Sequence, residues 1–311
     1  MSNAEELIDE QGAIQSALFE WHAAHPRDVP WRASTDPYAI LVAEVMSQQT
    51  QIDRVIPAWR AFVERWPTPA SLAGADRSAV ITFWSQHRLG YNRRAEYLHT
   101  AARQIVDEWE GRLPRDVPSL QDLRGVGPYT ANAVASLAFN AGGPTLDTNV
   151  KRVLFRASGA DPSEEPPYDE LGRTLMPSDA PAAWNNAMMD LGATVCTPSP
   201  RCDDEPCPLR PWCGAYQRGT FEAPEIPSQG RYEGSDRQFR GRILRALSER
   251  GSMDVLTLGA HIRETFDAAD EDDRAWVETL VAGLREDRLI AIEETEPGRV
   301  TVRLADDAAQ P

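Results

Sequence analysis

Leu123-Arg124-Gly125-Val126-Gly127-Pro128-Tyr129-Thr130-Ala131, followed by Leu146-Asp147-Thr148-Asn149-Val150-Lys151-Arg152-Val153, is the stretch that decides the architecture. Pro118 to Leu123 predicts a short helix. Two glycines then supply a positive-φ turn, and Pro128 suits the first position of a second helix, where its missing N–H is no loss. The residues spell helix, hairpin, helix. Amides of the Gly125 to Gly127 turn, backed by the dipole of the following helix, would hold a nucleic-acid phosphate without reading its base. Asp147 stands twenty positions after Gly127 at the start of another helical run, where it could face the sugar that such a phosphate delivers. The competing reading is a plain αα-turn followed by an Asp that caps a helix.

A chain of 311 residues, 41% of them hydrophobic, can fill a sizeable core in one large domain or two. No apolar run reaches spanning length and no signal peptide opens the chain, so a cytoplasmic, soluble protein without a membrane partner is expected, as a monomer. The charge is unusual for a DNA-binding protein. Forty-eight acidic against 32 basic side chains leave a formal −16, which repels a polyanion. Either the protein does not bind nucleic acid, or it works where concentrated salt screens that repulsion. Lys151 is the only lysine, and an acidic, lysine-poor composition favours the second reading, that of a halophile's protein.

Helical periodicity covers residues 1 to about 25, Tyr38 to Met46, and the segment holding Ile52, Val55, Ile56, Trp59, Phe62 and Val63. Further helices are predicted at 76–87, 93–109, 128–140, 149–157, 167–175 and 181–195. A Pro-, Glu-, Gly- and Ser-rich stretch at 217–236 reads as a linker between residues 1–216 and a second domain at 237–311. There, helices at 237–249, 254–264 and 273–286 precede strands at 289–294 and 299–304 that turn at Pro297-Gly298. Three helices with a two-stranded wing make a winged-helix-like α+β module.

Glu44 lies in the apolar helical run Ile40-Leu41-Val42-Ala43-Glu44-Val45-Met46. Burial there favours the neutral carboxyl and raises its pKa, which prepares a general acid; the alternative puts Glu44 on a wet edge of the helix. Ser47-Gln48-Gln49-Thr50-Gln51 follows as a block of amides and hydroxyls that could fill the hole left by a displaced base, or form an ordinary polar turn. Cys196, Cys202, Cys207 and Cys213 fall within eighteen residues. In an intracellular chain that argues for a metal site, either an iron–sulfur cluster or a structural zinc, and intervals of five, four and five residues favour the cluster. Trp31 could wall a base pocket or pack in a core. Tyr91, after Gly90, could wedge a duplex or lie buried. The five histidines show no ligand spacing.

These blocks resemble, in order and separation, the adenine DNA glycosylase family of the helix-hairpin-helix base-excision superfamily, from about residue 20 to residue 214. Pro30-Trp31-Arg32, Asp36-Pro37-Tyr38, Glu44-Val45-Met46 with Gln48-Gln49-Thr50-Gln51, Leu89-Gly90-Tyr91, Gly125-Val126-Gly127, Leu146-Asp147, Ala187 to Ala193 and the cysteines carry the likeness. The resemblance implies an all-α, two-lobed helix-hairpin-helix DNA glycosylase fold with the lesion site between the lobes. It implies a [4Fe–4S] cluster on Cys196, Cys202, Cys207 and Cys213, and double-stranded DNA carrying an adenine mispair as partner. Glu44 aligns with the acid that protonates the flipped adenine and Asp147 with the carboxylate that stabilises the sugar cation. Tyr129 stands where lyase relatives carry a Schiff-base lysine, which implies a monofunctional enzyme. Arg27, Val29, Trp31 and Asp190 would line the adenine pocket, Asn149 would support Asp147, and Gln48 and Tyr91 would sit beside the mispaired purine.

The cysteine intervals depart from the family's six, two and five. A winged helix also replaces the Nudix-like domain through which bacterial members recognise 8-oxoguanine. That module, with 17 acidic and 11 basic residues over 236–307, is either a salt-adapted DNA reader or a docking domain for a protein partner. Two other functions compete: a glycosylase for thymine or uracil opposite guanine, and a non-catalytic iron–sulfur regulator that binds DNA. Glu44 argues against the first, because a pyrimidine has less need of a buried acid. The second would not require both carboxylates.

Overall fold

The computed structural model describes residues 3–161, 163, 166–223, 230–296 and 299–306. In chain order the helices are α1 (Asn3–Asp9), α2 (Gln11–Ala24), α3 (Pro37–Ser47), α4 (Ile52–Arg65), α5 (Pro69–Ala73), α6 (Arg77–Gln86), α7 (Arg93–Trp109) and α8 (Val117–Gln121). There follow α9 (Pro128–Phe139), α10 (Thr148–Ser158), α11 (Tyr168–Leu175), α12 (Pro181–Thr194), α13 (Gly214–Arg218), α14 (Asp236–Arg250), α15 (Val255–Ile262) and α16 (Glu271–Glu286). The strands are β1 (Ser252–Asp254), β2 (Ile290–Glu296) and β3 (Arg299–Leu304). Short acidic or hydroxyl side chains set many helix starts. Thr68 forms a capping box with Ser71, and Asp76, Asp116, Asp147, Asp254 and Asp270 each accept a first-turn amide.

Two compact units result. The first spans 1–44, 113–122 and 126–228. Its core joins Ile14, Leu18 and Trp21 of α2 to Val150, Val153 and Leu154 of α10 and to Trp184, Met188 and Leu191 of α12. The second spans 45–112, 123–125 and 229–311. Phe62 and Trp66 meet Phe83 of α6 edge-on, with ring centroids 5.3 and 5.5 Å apart. In the same unit α14, α15 and α16 enclose Ile243, Leu247, Leu258, Val277 and Leu284 against Val302 of an antiparallel sheet ordered β1-β3-β2. Ile81 of α6 is buried in that cluster, so the C-terminal module shares its core with a helix of the 45–112 segment.

The helix predicted at 93–109 is α7, and most others agree within two residues. The first predicted helix is divided at Glu10, beside Gly12, whose helical propensity is poor. The wing gains a third strand, β1, too short to show a two-residue period. α13 occupies the beginning of the predicted linker, and 224–229 and the Pro297-Gly298 turn lie outside the described residues. Only one hairpin glycine uses the left-handed region. Gly125 has φ +79°, whereas Gly127 has φ −88° and ψ 177°, because it is the extended residue that caps α9.

Trp184 is 1% exposed at the centre of the first core. Trp184→Ala should cost about 3–5 kcal/mol, the usual penalty for emptying a buried aromatic site. Urea unfolding followed by far-UV circular dichroism would read it, and a loss below about 1 kcal/mol would contradict this packing.

Candidate active site

All residues from Tyr38 to Met46 on α3 are buried, so this helix has no wet edge for Glu44, which is 6% exposed. Burial lifts its carboxyl from the ordinary 4.5 to about 7. A hydrogen bond from Tyr129 and the charge of Arg32 pull the other way, and the charge of Asp147 adds to the rise. Tyr129, on the first turn of α9, is itself driven well above 10, first by burial and then by the two carboxylates. Its hydroxyl also lies 3.8 Å from Met189 Sδ. Glu44, Tyr129 and Asp147 thus come together within the first unit.

Asp147 bears out the capping reading of its sequence position and also lies beside Glu44 and Tyr129. It caps α10, where Oδ1 accepts from the amides of Asn149 at 2.9 Å and Val150 at 2.7 Å. Oδ2 accepts from Asn149 Nδ2 at 3.0 Å. Burial raises its pKa, but these three donors and the charge of Arg152 oppose the shift. Asn149 is steered in turn by Arg152, which donates to its Oδ1 at 2.8 Å and to Gly192 O and Cys196 O at 2.7 Å each.

Asp190 is wholly buried on α12. Arg32 grips it with two bonds of 2.5 and 2.7 Å, Arg27 adds one of 3.0 Å, and His22 Nε2 lies 3.2 Å from Oδ2. Burial alone would raise this carboxyl, yet His22, Arg32 and Arg27 hold it well below the usual carboxylate range. Asp190 therefore anchors two arginines, one of which places its charge near Glu44. Val29 and Trp31 are buried in the same segment, Trp31 in a 3₁₀ turn over Pro30–Ala33.

Cys196, Cys202, Cys207 and Cys213 line one pocket with Val153, Arg156, Ala157, Leu191, Leu209 and Phe221. Arg156 approaches Cys196 Sγ at 3.5 Å and also donates to the carbonyls of Thr197, Pro198, Phe221 and Glu222, so a single buried cation ties the loop together. Among the described residues no three His, Cys, Asp or Glu side chains are grouped as ligands of one metal ion. Four thiolates about 2.3 Å from one zinc would lie within about 4 Å of one another. A donor set of four thiols around one pocket, with an arginine to balance their charge, fits a group held by thiolates.

Gln48, Tyr91 and Gly125 belong to the second unit. Gly125 sits against Tyr97, whose Cβ would be 2.7 Å from any added methyl, and its left-handed φ also excludes a side chain. Tyr91 is 39% exposed, with φ +43° after Gly90 at +72°. Buried Arg94 holds the segments carrying Gln48 and Tyr91. Its guanidinium donates to the carbonyls of Val45, Met46 and Gln48 on one side and of Leu89 and Gly90 on the other.

Arg32, Arg94, Arg152 and Arg156 were not singled out from the sequence. Arg94 had a readable signal, since it lies four residues before Leu98 on the apolar face of α7. The partners of Arg32 and Arg156 are remote in sequence and left no such trace.

Because folded Glu44 binds its proton more tightly than the unfolded chain does, it lowers stability as pH rises from about 4.5 towards 7. Glu44→Gln removes that burden. It should match wild type near pH 4 and exceed it by about 3 kcal/mol at pH 8, since each tenfold change in proton affinity is worth about 1.4 kcal/mol. A gain independent of pH in denaturant titrations would contradict the assigned protonation.

Residues 42–177 match the HhH-GPD superfamily base excision DNA repair protein family. An adenine DNA glycosylase of Mycolicibacterium smegmatis is 39% identical over 306 residues, covering 94% of this chain and 97% of the relative. One from Mycobacterium tuberculosis is 41% identical over 239 residues, covering 74% and 77%. The solved structure of a thermostable thymine-DNA glycosylase matches with a TM-score of 0.61 at 28% identity, over 68% of this chain and 98% of that one. Its likeness fits the scaffold, while the near full-length match to the Mycolicibacterium relative spans the catalytic helices and the C-terminal module alike. The chain belongs to the adenine DNA glycosylase family.

Proposed function

We propose that the protein is a monofunctional DNA glycosylase of base-excision repair, which flips adenine mispaired with 8-oxoguanine or guanine out of double-stranded DNA and hydrolyses its N-glycosidic bond. The pairing of Glu44 with Asp147 around Tyr129 carries this reading. Neither carboxylate can reach a stacked base, so the nucleotide must leave the duplex first. Neutral Glu44 then gives its proton to a ring nitrogen of adenine. As the C–N bond breaks, its electron pair stays on the base, and ionised Asp147 stabilises the cationic sugar. Water adds to the sugar carbon, and the proton it loses restores Glu44. Arg32 and Asp190 hold the acid's electrostatic surroundings constant through the cycle.

Arg27, Val29, Trp31 and Asp190 form or support the adenine pocket, and Asn149 keeps Asp147 aimed. Gln48 and Tyr91 probe the mispair, and the amides at Gly125 and Gly127 hold a phosphate. Cys196, Cys202, Cys207 and Cys213 would hold a [4Fe–4S] cluster, which supplies a rigid, redox-capable anchor for this loop. The catalytic domain ends near residue 216. Tyr129 has no amine with which to form an imine, so the abasic strand is left intact. A cytoplasmic enzyme working in concentrated salt accounts for the net charge of −16. The thymine-DNA glycosylase likeness raises pyrimidine removal as a second reading, but a carboxyl raised to about 7 suits a purine that leaves only when protonated.

A duplex panel of A:8-oxoguanine, A:G, T:G and U:G in dilute and molar KCl tests the proposal. Adenine alone should be released, without strand nicking and with activity retained in salt. Release of thymine or uracil instead would overturn it. On the adenine substrate Asp147→Asn should be slower by about a thousandfold, and Glu44→Gln should bind without release. Excision should decline above about pH 7, as Glu44 loses its proton.

A further inference from the structure

We propose that the C-terminal module is a brace that positions Tyr91, with Arg237 as the positioning residue. The inference rests on the reading of Tyr91 as a probe of the mispair. Three contacts within the second unit carry it. Arg237 Nη1 on α14 donates to the Tyr91 hydroxyl at 3.1 Å, while its Nη2 is fixed on Gly230 O at 2.7 Å. Two residues beyond Tyr91, Arg93 pairs with Asp287 at 3.0 Å, and Arg240 of α14 holds the other oxygen of the same carboxylate. Ile81 on α6, which leads into the 87–92 turn, is buried in the module's own core.

Tyr91 needs such a brace. Its backbone lies in the left-handed region, where a bulky residue is strained and persists only when its surroundings over-determine it. Arg94 and Trp84 hold the turn from below through Leu89 O and Gly90 O, and the Arg94 guanidinium lies 5.4 Å from the Tyr91 ring. Those contacts fix the backbone and one ring face. Arg237 fixes the far end of the ring. A wedge ordered before it meets DNA loses less side-chain entropy on insertion, so the brace converts to affinity for the distorted duplex. Asp287 extends its reach, because Arg93 also lies over the Tyr97 ring at 5.3 Å, and Gly125 rests on that ring. The module therefore reaches both segments assigned to the duplex through contacts within the second unit.

A double-mutant cycle on the full chain separates this role from a direct phosphate contact by Arg237. In a Glu44→Gln background, binding of an A:8-oxoguanine duplex would be measured by fluorescence anisotropy. Arg237→Gln should weaken it about tenfold and Arg237→Lys less than threefold, while Arg237→Gln added to Tyr91→Phe should cost nothing further. An equal loss in both backgrounds would overturn the proposal. Amide hydrogen exchange in the DNA-free protein gives a readout independent of substrate. Arg237→Gln should accelerate residues 90–93 at least fivefold while leaving the α14–α16 core unchanged, and unaltered exchange at 90–93 would equally overturn it. If the wild type released no adenine, the functional reading would fail, whereas the exchange result would still decide whether the brace exists.

Discussion

Burying a carboxyl in the middle of α3 is unfavourable to its charge, and the chemistry of the first unit follows from how that penalty is met. The Glu44 carboxyl is lifted to about 7, because burial and the charge of Asp147 outweigh Tyr129 and the charge of Arg32, which favour its ionised form. Asp147, partly buried nearby, receives two amides and an amide side chain that favour the opposite state. Burial raises both carboxyls, but Asp147 alone receives three hydrogen bonds that oppose the rise, and an acid and an anion acting on one nucleoside require such a difference in surroundings. The helix cap and the carboxylate proposed to stabilise the sugar cation are the same side chain. Capping removes Asp147's rotational freedom and supplies its hydrogen bonds, so the stability of α10 and the aim of the charge are set together.

Arginine is the means by which distant segments are held. Arg32 binds Asp190 through both arms of its fork, Arg152 spans Asn149, Gly192 O and Cys196 O, and Arg156 collects four loop carbonyls beside a cysteine sulfur. Arg94 does the same for the turns carrying Gln48 and Tyr91. A planar guanidinium offers five donors in fixed directions, which an ammonium on a flexible stem does not. The near absence of lysine therefore has a structural consequence as well as a compositional one. Loops that lack regular backbone pairing are cross-linked by buried forks.

Periodicity and capping residues made the helices legible, because an amphipathic segment repeats its pattern several times over ten residues or more. α5, β1 and the interruption at Glu10 were not legible, since elements of five or three residues barely repeat a pattern, whereas α8, equally short, was legible from the hairpin that follows it. The second hairpin glycine was misjudged for a local reason: the residue before Pro128 is pushed to extended backbone, which leaves the left-handed turn to Gly125 alone. Among site residues, Glu44 was readable as a charge interrupting an apolar run, and the cysteines as a cluster. The capping and functional readings of Asp147 could not be separated from sequence, because a side chain at a helix start is compatible with both. Arg94 and Arg156 escaped because their partners are mostly carbonyls, which carry no residue identity, and Arg32 because Asp190 is remote from it in sequence.

The acidic C-terminal module is best understood through that same economy of contacts. With 17 acidic and 11 basic residues its field opposes a polyanion, so a surface built to follow the phosphate backbone would work against its own charge. Four of its arginines, Arg237, Arg240, Arg242 and Arg263, instead bind within the second unit, to Tyr91, Gly230 O, Ile262 O and the carboxylates of Asp273 and Asp287. Such contacts do not depend on attracting DNA, and salt screens them less than it screens an exposed phosphate contact. A module whose core includes Ile81 cannot be moved without disturbing α6 and the turn that follows it. The brace proposed for Tyr91 would therefore act through the shape of the protein and not through the module's own charge.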